Sequence, residues 1–575
     1  MSWWDDPELV FANADIKTFN LQALFSSHYL GNYVPITMLA HAIAYFLFGA
    51  NDAGHHGLSL FFHLINGVLV FQITHKLFKK DQLALLSTAV FLLHPIQVES
   101  VAWISELKNV LSTGFYLLAL LQWIIYLEHS SSKNYAYTLL FFLLGLLSKP
   151  SLVVFPLVLF WIDVFFVKDF KAVKVLNKLP FLILAGIFGW ITLRAQSADG
   201  MLNHSHEFPF WQRFAYAGYA LFAYCGNFVL PLKLSVIYPY PEAKASSYLI
   251  GLGGLTLFLI VFIWFCFKRQ FIQAGILAFI LINFSLVLQF IPFGEVLYAD
   301  RYAYVPVIGF SWVLGSLFSK LHLPQKLISI GVATLLALVC FARLSVWSGA
   351  LVLYEDILKK YPNSSVALYS AGVESMRLDQ DEKALNYLNR SVKAAPNNYK
   401  AYYNRGLVYL KNQKPHSAIQ NFDRALELQE YYKTYTARAT AYLQLGDVSK
   451  AMADANRSLQ LEKNNPKAHY VLGSSFDKLD RLEEALNEFN LALRLDAEDA
   501  DLYFKRGIVF GKQQDFKSCK NDLDVCIQLR PDYTEAYYWR GVAKINLKQK
   551  ACEDFKVAAQ KNFEPAVSAY NSYCR

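Results

Sequence analysis

"AYYNRGLVYLKNQKPHSAIQNFDRALEL", residues 401–428, reads as two short amphipathic helices folded back on each other at a polar turn. The stretch is one copy of something that recurs. A small residue returns at Gly372, Gly406, Ala439, Gly473, Gly507 and Gly541, every 34 residues apart from one spacing of 33. Around it fall Tyr409, Tyr442 and Phe476, then Ala418, Ala451 and Ala485, then Phe422 and Phe489. Small residues let the two helices of a hairpin approach closely, and aromatics fill the gaps between hairpins. A fixed period of this length means a stack of helix pairs whose core is continuous from one repeat to the next. Six such units reach from about residue 365 to residue 575, and the sixth, with a shortened turn at "NLKQKACEDF", reads as an end cap.

The chain before the repeats is of another kind. Over all 575 residues, 55% are hydrophobic, 16% aromatic and only 17% charged, where soluble chains carry about 25% charged residues. The mean hydropathy is +0.26. The apolar excess is concentrated before residue 345, in runs at 58–75, 83–93, 110–127, 136–147, 151–167, 181–193, 213–230, 248–267, 272–291, 302–318 and 327–342, with a shorter interfacial helix at 36–48. The expected fold class is therefore all-α: a polytopic transmembrane helical domain over residues 1–345, a connecting segment over 346–364, and an α-solenoid over 365–575. No basic stripe interleaved with stacking aromatics is present, so nucleic acid is not an expected partner. The first 35 residues lack the apolar core of a cleavable leader. The seven cysteines include no CxxC pair and read as small packing residues; Cys519 and Cys526, a heptad apart on one helix, lie about 10 Å apart along the axis and cannot bridge each other.

Orientation follows from the basic loops, which stay on the cytoplasmic side. "HKLFKK" (75–80), "KDFKAVKVLNK" (168–178), "KRQ" (268–270) and "KLHLPQK" (320–326) are those loops. Four runs separate the first from the second and two separate the third from the fourth, both even counts. Three separate the second from the third, so one of them does not span. The run 213–230, ending at Pro231 before "PLKLSVIYPYP", is expected to lie as a re-entrant or surface helix. Residues 1–35, the loop after His94, Lys149, the 194–246 segment and residues 295–304 then share one extracytoplasmic face, and the run 327–342 delivers the repeats to that side.

Ionisable groups held at membrane depth are costly and mark function. "WWDDPELVFAN" (3–13) sets Asp5 and Asp6 beside Trp3 and Trp4. Indoles suit the membrane interface, and a carboxylate part-buried beside them gains basicity; the pair also reads as a metal site or as a solvated turn. "HPIQVESVAWISELKNVLS" (94–112) brings His94, Glu99, Glu106 and Lys108 into one loop-helix segment, with the two glutamates on one face if the helix is continuous. "LLSKPS" places Lys149 between apolar runs, and "EVLYADRYAYVP" (295–306) adds Glu295, Asp300 and Arg301 among aromatics. Cations in such places bind a phosphate oxygen, snorkel, or close a structural ion pair.

The repeat resembles the tetratricopeptide repeat. The order of "WDDPELVFAN", "HPIQVESVAW", "LSKP", "LSVIYPYP" and "ADRYAYVPVIG" ahead of it resembles the bacterial relatives of the transmembrane and tetratricopeptide-repeat-containing O-mannosyltransferases, in the C-type (GT-C) glycosyltransferase superfamily. The resemblance runs over essentially the whole chain. It implies a multi-pass enzyme of the bacterial cytoplasmic membrane, with its repeats outside. Such an enzyme takes a sugar, mannose-type where the resemblance extends to the donor, from a polyprenyl phosphate and transfers it, usually with inversion, to an extracytoplasmic hydroxyl. It implies Asp6, or Asp5, as the catalytic acid of the first external loop. It implies substrate-binding roles for His94, Glu99, Glu106, Lys108 and Asp300, with Lys149 and Arg301 facing the lipid-linked phosphate. The cofactor stays open: Asp5 and Asp6 permit Mg²⁺ or Mn²⁺, while eukaryotic O-mannosyltransferases of this superfamily are generally thought to need none. An acceptor protein or peptide is expected on the concave face of the repeats. The alternatives are a non-catalytic membrane-anchored repeat scaffold for envelope assembly, and an enzyme of the same type with a glycan or lipid acceptor.

Overall fold

The computed structural model describes residues 6–167, 175–198, 208–241, 245–288, 290, 296–319 and 325–574. Asp5, Glu295 and parts of two basic loops (168–174 and 320–324) lie outside the described residues. The chain forms two compact units, Met1–Ala367 and Leu368–Arg575. It is a transmembrane helical bundle followed by an α-solenoid.

Among the described residues of the first unit, five helices are long and apolar enough to cross a membrane, and six if a bent pair counts as one. They differ in position. Ile104–His129 is 61% buried and Asp52–Phe78 is 44% buried, whereas Ala245–Phe267 and Lys326–Ser348 are only 6% and 11% buried. The first two form the centre of the bundle and the last two its lipid-facing wall.

Local chemistry sets these elements. Asp52–Phe78 begins where the Asn51 side chain accepts the Ala53 N–H at 3.0 Å, with an acid in the first turn and His75 and Lys76 in the last. That places each charge where the helix dipole favours it. Ser130, left-handed at φ 50°, closes the turn between Leu107–His129 and Ser132–Ser148. Gly67 faces Leu92 so closely that a Cβ there would lie 2.7 Å from a leucine methyl. Trp161 and Trp312 stack at 6.2 Å in the core, and each indole N–H is satisfied, by the Gly275 carbonyl and the Thr74 hydroxyl respectively.

Two departures from regular helix position the chemistry. Asp81–Leu93 and Pro95–Ala102 meet at a 49° bend, where His94 is extended and its Nδ1 accepts the Ile96 N–H. A second break falls at Trp103 (φ −90°, ψ 116°), before a short 3-10 turn leads into Leu107–His129. Glu99 and Glu106 therefore do not share one continuous helix. A short antiparallel pair, Tyr238–Pro239 with Val296–Tyr298, carries the turn holding Asp300 and Arg301.

In the second unit each repeat is a helix pair, such as Tyr399–Lys411 with Pro415–Leu428. The small residue of the period has a direct cause. A Cβ at Gly406, Gly473 or Gly541 would lie 2.5–2.8 Å from the Phe422, Phe489 or Phe555 ring. Repeats are pinned by arginines preceding that position. Arg438 bridges Asp423 and Asp454, Arg506 bridges Asn490 and Asp522, and Arg540 bridges Asp524 and Asp554. The fourth repeat has Leu472 there, and a His469–Glu488 contact at 2.6 Å stands nearby. The cysteines are not all packing residues, as the sequence suggested. Cys552 and Cys574 form a disulfide, because the last two helices run back to back and bring their Cα atoms to 5.5 Å.

Candidate active site

Four segments distant in sequence meet at one end of the bundle: the N-terminal stretch, the broken helix at 98–109, Lys149 and the 300–301 turn. Asp6 is fully buried, and its Oδ1 accepts both the Ser105 N–H at 2.8 Å and the Ser105 hydroxyl. The next residue, Glu106, faces three cations: Lys108 Nζ at 3.3 Å, Lys149 Nζ at 3.6 Å and Arg301 Nε at 3.7 Å. Arg301 also donates to Glu99 Oε1 at 2.5 Å, while its backbone N–H reaches Glu99 Oε2 at 3.2 Å. The guanidinium lies over the Trp103 and Tyr302 rings.

The layering is informative. Glu99 and Glu106 side chains are 2% and 3% exposed, whereas those of Lys108, Lys149 and Arg301 are 19%, 15% and 18% exposed. The carboxylates form a floor and the cations a lip above it. With Asp6 the cluster holds three acids and three cations, and the cations are its more exposed members, placed to meet an anionic group from outside. Burial pushes the Lys149 ammonium down to about 8, with Glu106 acting to keep it charged.

Sequence reasoning missed three members. Asn109 accepts from Lys149 Nζ at 3.0 Å and donates to the Arg301 carbonyl and the Ser100 hydroxyl, both at 2.8 Å. Ser105 fixes Asp6, and Trp103 both breaks the helix and stacks on Arg301. All three lie inside the quoted 94–112 segment, but neutral side chains give no charge signal.

Two predicted residues sit apart from the lip. His94 is a cap: its ring stacks on Phe228 and its Nε2 meets the Phe228 carbonyl at 2.9 Å. Asp300 turns away from Arg301 and accepts from the Tyr238 hydroxyl at 2.8 Å. Burial, reinforced by Glu99, pushes its carboxyl well above the usual carboxylate range. Among the described residues no group of three His, Cys, Asp or Glu side chains is placed to hold a metal ion. Ser105 bonds Asp6 Oδ1, and Asp5, the other acid expected to hold a metal, lies outside the described residues.

Comparison with known proteins extends this picture. Tetratricopeptide-repeat family models match residues 399–432, 432–465 and 478–514. A protein O-mannosyl-transferase of Caenorhabditis elegans is 22% identical over 372 residues, covering 61% of this chain and 52% of its own. That share exceeds what the repeat unit alone supplies, so the match reaches into the membrane unit. The chain is a relative of the protein O-mannosyl-transferases. Human TMTC3, another of them, is 26% identical over 131 residues, 21% of this chain and 14% of that protein. The chain thus spans about half the length of the worm relative and a seventh of the human one. Among solved structures, the repeat protein YrrB, described as having an unusual peptide-binding site, aligns with 32% of this chain and 96% of its own at 20% identity and a TM-score of 0.27.

Proposed function

We propose that this relative of the O-mannosyl-transferases is a membrane glycosyltransferase. It moves a sugar, mannose-type in class, from a polyprenyl-phosphate donor to hydroxyls of extracytoplasmic proteins, which its repeats recruit. The observation that carries the reading is the meeting of Asp6, Glu106, Lys108, Lys149 and Arg301 at one end of the bundle, cations outermost.

The chemistry balances at named atoms. Asp6, oriented by Ser105, takes the proton of the acceptor hydroxyl. The hydroxyl oxygen forms the new bond to the anomeric carbon as the bond from that carbon to the phosphate oxygen breaks. The polyprenyl phosphate leaves with one more negative charge, which Lys149, Lys108 and Arg301 stabilise where it develops. Glu99 and Glu106 hold those cations in place before the donor arrives. The disulfide in the last repeat supports an oxidising, extracytoplasmic setting for that unit.

Intact-mass glycoproteomics of envelope proteins, with and without the gene, tests this. Hexose-bearing peptides that disappear on deletion and return with the full chain are expected. Unchanged glycosylation, together with rescue of the deletion phenotype by the repeats alone, would favour a scaffold instead.

A further inference from the structure

We propose that the end of the bundle remote from the charge cluster holds a bulk membrane phospholipid with an anionic headgroup. The two ends are fixed by the central helices. Asp52–Phe78 and Leu107–His129 are joined by Asn66 to the Val110 carbonyl near the cluster, and by Lys76 to Glu128, both bonds under 3 Å, at the far end. At that far end lies a cavity of about 1000 Å³. This is the upper end of the range for small-molecule sites, about 300–1,000 Å³.

Its walls are apolar, with Leu83, Leu86, Val261, Phe265, Ile276 and Leu277 among them. Its polar lining includes Lys80, Asp81, Gln270 and Ser319. Two basic turns end on that lining. Lys79 precedes Lys80, and Lys268 and Arg269 precede Gln270; Lys326 stands two residues before the lining residue Ile328. Two acids offset part of this charge: Asp81, itself a lining residue, contacts His75 at 2.7 Å, and Glu128 faces Lys76 at 2.7 Å and Lys79 at 4.0 Å, which leaves the basic groups in the majority. Parts of the wall come from the helices buried by only 6% and 11%, so the cavity borders the hydrocarbon of the bilayer.

Hydrocarbon walls beneath a cationic rim match an amphiphile of chains and phosphate, and basic pockets between membrane helices recognise such headgroups. The donor of the proposed reaction belongs at the opposite end, under Lys149 and Arg301, so this site is separate from sugar transfer.

The test uses the full chain in nanodiscs containing phosphatidylglycerol or phosphatidylcholine, each with a photoreactive acyl chain, and maps the cross-links by mass spectrometry. Phosphatidylglycerol adducts are expected within residues 77–86 and 261–277, several-fold above phosphatidylcholine. Lys80→Ala with Lys268→Ala should lower phosphatidylglycerol labelling by about fivefold per cation removed. Ile276→Trp, which narrows the cavity, should lower the adducts of both lipids. Equal labelling by the two lipids, or labelling unaffected by both variants, would overturn the proposal. So would loss of the adducts on adding equimolar polyprenyl phosphate, which would assign the cavity to an isoprenoid lipid.

Discussion

At the scale of single residues, the account rests on how burial treats Lys149. A lysine ordinarily keeps its charge to about pH 10.4, whereas burial brings this one down to about 8. Its charge is complete below that value and is lost as pH rises through it. Donor binding should therefore fall between roughly pH 7.5 and 9, read by titrating a polyprenyl-phosphate sugar onto the purified chain. In Lys149→Arg the fall should move out of that window. Glu106→Gln should cost about 3 kcal/mol of stability, since it removes the buried carboxylate that faces Lys108, Lys149 and Arg301 and leaves Glu99 to Arg301; thermal unfolding in detergent checks this. The charged members of the site were legible because ionisable groups stand out against apolar sequence. Their partners were not. Nothing in the sequence tells that Asp300 turns to Tyr238 while its neighbour Arg301 turns to Glu99, since opposite faces of a tight turn look alike until the strand pair behind it is built.

At the scale of elements, the break at Trp103 matters most. A straight helix would carry Glu106 away from Arg301 along its axis. The extended residue and the 3-10 turn bring both glutamates within reach of one guanidinium. The sequence signalled a loop-helix there but not a second break, because Trp103 carries no proline or glycine beside it. The repeat helices were legible to within a few residues, since a period of 34 fixes phase as well as type. Gly541→Ala tests why that period exists: a methyl 2.6 Å from the Phe555 ring should cost about 1–3 kcal/mol, measured by denaturant unfolding of the full chain. A loss below a few tenths would mean that the ring yields freely.

At the scale of the whole molecule, long-range closure is what the sequence hid. Cys552 and Cys574 are 22 residues apart, and no motif marks them as partners. Protein denatured without reductant should titrate five thiols, and seven after reduction. Cys552→Ser should lower stability by about 3 kcal/mol, as expected for a loop of this length. The meeting of residues 6, 105–108, 149 and 301 is closure of the same kind, and the central claim is that it forms a catalytic site. The direct measurement is the rate of sugar transfer from a polyprenyl-phosphate donor by purified wild-type and Asp6→Asn chains. Asparagine keeps an oxygen for the Ser105 N–H but removes the base, so the rate should fall by about 100-fold or more. An Asp6→Asn chain that transfers sugar at the wild-type rate would contradict the account.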